Sequence, residues 1–284
     1  MSDGEGALPG WWTRDAGRWA ACRPAGWARA VGAAAGAWLV AVAVAVVVEP
    51  QEWGAGHAAL AAAQLYWLVR LPELTLISAP AIMAWLIWTE PPAAYAAAVA
   101  ALAYGWAAAR HRIGVRRRQR LLAANAAQGV RLALPEPVPP LRRGAVRIGA
   151  GVALAVPAIW YPPLGALALT LAAEGTAALY RAARLRRAPV PVLRALAQED
   201  EDGRLWVYAA DDTAGRRPLF SCPVSPEPEP ELEPGPEPDG ADGTRLRRAV
   251  LFGAPYERAE LLLLRADRDD GPLVDRAAGP VRPA

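Results

Sequence analysis

Three groups of residues in this 284-residue chain could do chemistry. Glu174 stands inside the apolar run Leu164–Tyr180. A carboxylate in such a run either handles a proton or ion or is held by a partner, because burying it unpaired is costly. Arg70 and Glu73 are three apart around Pro72, a spacing that suits an ion pair at a polar turn. Arg116, Arg117, Arg118 and Arg120 form a basic run. Such a run can bind nucleic acid, but no aromatic residues are interleaved with it for base stacking. Anionic lipid headgroups, worth about 1 kcal/mol per Arg near a charged surface, are therefore the expected partner, and nucleic acid is not.

Reaction signatures are otherwise missing from the sequence. It has no HExxH, G-x-S-x-G, P-loop or G-x-G-x-x-G pattern. Cys22 and Cys222 are the only cysteines and lie in segments of opposite character, which argues against a structural disulfide. With only His57 and His111 beside them, no Cys/His metal site can be assembled. The expectation is a non-enzyme with no catalytic, cofactor-binding or metal residues and no cofactor.

The elements that must position these residues follow from charge and hydropathy. All 31 basic residues are Arg, and hydrophobic residues make up 54% of the chain. Residues 1–187 carry 19 Arg against 9 acids, and residues 188–284 carry 12 Arg against 19 acids, so the net charge of +3 conceals a basic part and an acidic tail. Apolar runs at Trp27–Val48, Trp53–Val69, Leu74–Trp88, Pro91–Ala109, Val146–Tyr161 and Leu164–Tyr180 read as about six membrane spans arranged as three hairpins. Gly32 and Gly36 offer a small-xxx-small contact, and Pro80 and Pro157 should kink their helices. Between Arg110 and Arg147 lie ten Arg and one acid, Glu136. The positive-inside rule puts that loop in the cytoplasm. This parity gives a multi-pass cell-membrane protein with both termini cytoplasmic, in which 146–161 and 164–180 cross fully or are re-entrant.

The domain boundaries read as 1–26, an interfacial or disordered N-terminus with Trp11, Trp12 and Trp19 among arginines; 27–109, four transmembrane helices; 110–147, the basic loop; 148–187, a transmembrane hairpin; and 188–284, a small β domain. Six short runs in the tail, Val190–Leu196, Arg204–Ala209, Leu219–Pro223, Ala249–Phe252, Glu260–Ala266 and Pro272–Val274, are bounded by turn residues such as Asp202-Gly203. They suggest an all-β SH3-like or OB-like barrel or sandwich. The Pro/Glu repeats within 223–244 read as a disordered insertion.

In its Arg-only, Ala-rich composition and small β tail, with runs such as Ala249–Gly253 and Glu260–Arg265, the chain loosely resembles uncharacterised actinobacterial polytopic membrane proteins. That resemblance covers the whole chain and implies no activity or site. The function expected is an interaction or assembly protein displaying a cytoplasmic β module to a protein partner. The alternative is a transporter or channel subunit using Glu174. The basic loop and the acidic tail are also expected to attract one another.

Overall fold

The computed structural model describes residues 8–22, 27–48, 55–89, 92–134, 142–161, 163–186, 189–200, 204–223, 246–266, 272–277 and 282–283. The chain divides into two compact units. The sheet unit comprises Met1–Arg23, Arg116–Pro139 and Arg181–Ala284; the helical unit comprises Pro24–Val115 and Pro140–Tyr180.

The sheet unit is a curled antiparallel half-barrel. Its strands are β1 (Arg131–Leu132), β2 (Val190–Glu199), β3 (Arg204–Tyr208), β4 (Phe220–Pro223), β5 (Arg247–Phe252), β6 (Leu261–Ala266), β7 (Pro272–Ala277) and β8 (Arg282–Pro283). The order across the sheet is β7-β6-β5-β2-β3-β4-β8, with β1 pairing β2 off this path. Successive side chains in a strand point to opposite faces, and here both faces are covered. Leu193, Ala195, Leu251, Leu261 and Leu263 join one core cluster. Val190, Val192, Phe252 and Leu262 join another. This explains the unbroken leucine run 261–264, which a sheet with one wet face would not tolerate.

The first cluster is built around residues far away in the chain. Trp11 and Trp19 are fully buried beside Phe220. Trp11 meets Trp19 edge-on at 5.4 Å between ring centroids, and Phe220 lies 5.8 Å from Trp19. Residues 9–11 lie along β2: the Arg194 amide donates to the Pro9 carbonyl (2.9 Å), and the Trp11 amide donates to the Arg194 carbonyl (2.8 Å). They fill the interval between β1, paired at 190–191, and β3, paired at 196–199. The helix α1 (Thr13–Ala21) then turns Ala16 and Trp19 inward, three apart on one face, and leaves the Asp15–Arg18 pair outside. Trp11 and Trp19 are therefore core residues and not headgroup-level rings.

The cap of α1 comes from across the unit. Trp12, at the N-cap, offers no side-chain acceptor. Asp211 supplies it, accepting from the Thr13 amide (2.8 Å) and the Thr13 hydroxyl (2.6 Å). Burial alone would raise the Asp211 carboxyl, but these hydrogen bonds outweigh it and hold the group below its ordinary value of 3.8. The folded chain thus binds this proton less readily than the unfolded chain. The stabilisation is present above the ordinary value and disappears as acid passes through the lowered folded value. Unfolding titrations between neutral pH and acid should show a steeper acid loss in the wild type than in Asp211→Asn.

The helical unit holds α2 (Trp27–Val48), α3 (Ala55–Arg70), α4 (Pro72–Thr89), α6 (Arg142–Ala155), a 3-10 turn at Pro157–Ile159, and most of α5 (Pro92–Ala126) and α7 (Pro163–Arg186). Indole groups tie it together. Pro80 has no N–H to donate to the Leu76 carbonyl one turn back, and the Trp106 indole donates there instead (3.2 Å). The Trp38 indole donates to the Ala61 carbonyl, and the Trp67 indole to the Thr170 hydroxyl. The backbones of α6 and α7 approach closely: a Cβ at Gly175 would stand 2.6 Å from the Gly144 carbonyl oxygen. At Gly32 and Gly36, by contrast, an added Cβ would meet nothing within 4 Å among the described residues.

Among the described residues no helix is long and apolar enough to cross a membrane. The six-span transmembrane bundle is corrected accordingly, and so are the multi-pass cell-membrane placement and the cytoplasmic assignment of the termini. At 1.5 Å per residue, α3 with 16 residues and α6 with 14 fall short of about 30 Å of hydrocarbon. α4 opens on Pro72-Glu73 and contains Pro80, α7 contains Glu174, and α5 passes from alanines into the arginine run. The charge-parity argument presupposed spans and falls with them. The Pro/Glu-rich insertion lies almost wholly outside the described residues.

Candidate functional site

The arginines of α5 separate by helical phase. Arg112, Arg116 and Arg120 are four apart, hence on one face, and Arg112 and Arg116 are buried while Arg117 and Arg118 are exposed. Arg112 donates to the Val69 carbonyl (2.7 Å), satisfying a C-terminal acceptor of α3. In the sheet unit the Arg116 Nε meets Glu257 Oε2 at 3.1 Å, with 8% and 19% of the two side chains exposed. The buried Gln119 side chain accepts from the Glu257 amide. One turn on, the Arg120 guanidinium lies 4.5 Å above the Tyr256 ring centre, a cation–π contact. One ion pair between the basic segment and the acidic tail is thus formed at Arg116–Glu257.

Beside these contacts the sheet unit contains a cavity of about 270 Å³. Arg120 of α5, Arg131 of β1, and Arg181 and Arg184 of α7 line it, with Tyr256 and Glu260 from the β5–β6 connection. Chain geometry brings these four segments together. α5 ends in a turn where Gln128 and Gly129 take left-handed backbone angles (φ 49° and 80°). β1 follows at once and pairs with Val190 and Pro191 at the start of β2. Gly253, at φ 105°, turns the chain out of β5 where a Cβ would strike Leu185 and Leu261 at 3.1 Å. Burial pushes the Glu260 carboxyl above the usual carboxylate range, against the pull of Arg181 and Arg186.

The residues singled out by sequence do not converge. Glu174 accepts a hydrogen bond from the Tyr66 hydroxyl and pairs with Arg147 Nη1 at 3.3 Å. Its carboxylate is engaged by side chains of the helical unit. Arg70 ends α3 and Glu73 lies in the first turn of α4, joined by Leu71, whose amide donates to Trp67. Arg116 and Arg120 belong to the sheet unit with the cavity, and Arg117 and Arg118 do not line it. Sequence reading missed Arg131, Arg181, Arg184, Tyr256 and Glu260 as neighbours. The available signal was that three of these arginines flank the beginnings of β1 and β2.

Among the described residues no group of His, Cys, Asp and Glu could hold a metal ion. Compared with known proteins, the chain matches no family model, no curated protein and no solved structure.

Proposed function

We propose that the protein is a non-enzymatic interaction or assembly protein that associates through its helical unit. The outward stripe of α4 carries this reading. Ile77, Ala81, Ala84, Trp85 and Trp88 follow a helical spacing and are exposed, Trp88 by 90%. A tryptophan and an isoleucine side chain each represent about 1.5–3 kcal/mol of burial not realised in the isolated chain. Apolar surface of this kind marks contact sites when it forms a patch. The stripe bears no charge, so a second copy can cover it without desolvating an ion. The sheet unit is then the module that the assembly displays.

Sedimentation of the full chain in detergent-free buffer tests the proposal. Self-association that Trp85→Glu combined with Trp88→Glu abolishes, at unchanged helix content, is the expected result. A wild-type monomer, or a chain that stays dispersed only when detergent or lipid covers it, would overturn the proposal.

A further inference from the structure

We propose that the arginine-lined cavity of the sheet unit binds a small organic phosphate monoester. Four arginines, Arg120, Arg131, Arg181 and Arg184, line one concave space together with a single acidic residue, Glu260. Among the described residues none of the four arginine side chains makes a hydrogen bond or an ion pair within 4 Å, although Arg181 acts electrostatically on Glu260; Arg120 lies on the Tyr256 ring. The Arg120 Nε is itself buried and lacks an acceptor. A buried donor of that kind normally finds one, and a ligand oxygen would supply it.

The chemistry of the lining selects the ligand class. Guanidinium groups present rigid forks of donors that match phosphate oxygens in pairs. A surplus of positive charge in a cleft concentrates the field on a multivalent anion. A dianion balances that surplus better than a carboxylate. Leu185, Val190, Ala254 and the Tyr256 ring form an apolar wall on the same cavity, so the phosphate should carry an organic group. At about 270 Å³ the space is near the lower limit of ordinary ligand pockets, enough for a group of one small ring. This inference does not depend on the association through α4, because every lining residue belongs to the sheet unit.

Isothermal titration of the full chain with phenyl phosphate, inorganic phosphate and benzoate provides the test. Phenyl phosphate should bind with one site per chain, about tenfold or more tighter than benzoate, which carries one charge. Replacing Arg181→Gln and Arg184→Gln together should weaken it about tenfold or more with the unfolding midpoint retained. Replacing the exposed Arg117→Gln and Arg118→Gln should leave binding unchanged. Benzoate binding as tightly as phenyl phosphate would overturn the phosphate assignment. Inorganic phosphate binding as tightly as phenyl phosphate would overturn the organic one. Equal losses in the two double variants would reduce the effect to general charge and overturn the site.

Discussion

Trp19→Ala is expected to destabilise the sheet unit by about 3–5 kcal/mol, the usual cost of removing a fully buried aromatic side chain. The ring is fully buried and contacts both Trp11 and Phe220, and its indole N–H donates to the Pro255 carbonyl at 2.9 Å. The loss therefore combines a cavity with an orphaned acceptor. Chemical unfolding monitored by circular dichroism checks the magnitude. Trp12→Ala is the control: that ring is exposed by 46%, and its removal should change stability by no more than about 0.5 kcal/mol. Phenylalanine separates the two core rings further. Among the described residues the buried Trp11 indole nitrogen has no hydrogen-bond partner, so Trp11→Phe should be tolerated better than Trp19→Phe. The reverse order would mean that the hydrogen bond to Pro255 contributes nothing.

The second large effect concerns Arg116 and Glu257. Glu257→Ala leaves the Arg116 guanidinium buried without its carboxylate, and breaking a buried pair from one side costs about 3–5 kcal/mol. The low end of that range is expected here, because Glu257 keeps 19% of its side chain exposed. Replacing both, as Arg116→Met with Glu257→Met, should recover most of the loss, since an apolar pair of similar volume avoids both desolvation costs. Unfolding free energies of the two single variants and the double variant measure the coupling. A single variant no less stable than the wild type would show that the pair behaves as a surface contact.

The parts of the fold that were legible in the sequence are those specified locally. Leu205 and Val207 alternate with Trp206 and Tyr208, and that period places β3 at Arg204–Tyr208. Pro72 similarly marks the junction between α3 and α4. The membrane bundle rested on alanine-rich runs that score as apolar over many residues, yet α3 and α6 are short, Pro80 interrupts α4 and Glu174 stands within α7. The N-terminal contribution to the sheet was illegible for another reason. Trp11 and Trp19 reach Phe220 and Pro255 across some 200 residues, and tryptophan among arginines has the same composition at a bilayer interface as in a core. Helical phase in the arginine run was legible but unused. The spacing of four from Arg112 to Arg116 to Arg120 distinguishes that face from Arg117 and Arg118. The cavity depends on β1 pairing with β2 across about 60 residues, and no local pattern announces such a contact.

Residues 9–21 are an integral part of the sheet core. Native-state hydrogen exchange on the full chain tests this most directly, by comparing the amides of α1 and Trp11 with those of β2 and β5. One cooperative unit predicts that these amides open with a common free energy, and that Trp19→Ala lowers all of them together. Residues 11–21 exchanging at the rate of an unstructured peptide, while β2 and β5 stay protected, would contradict it.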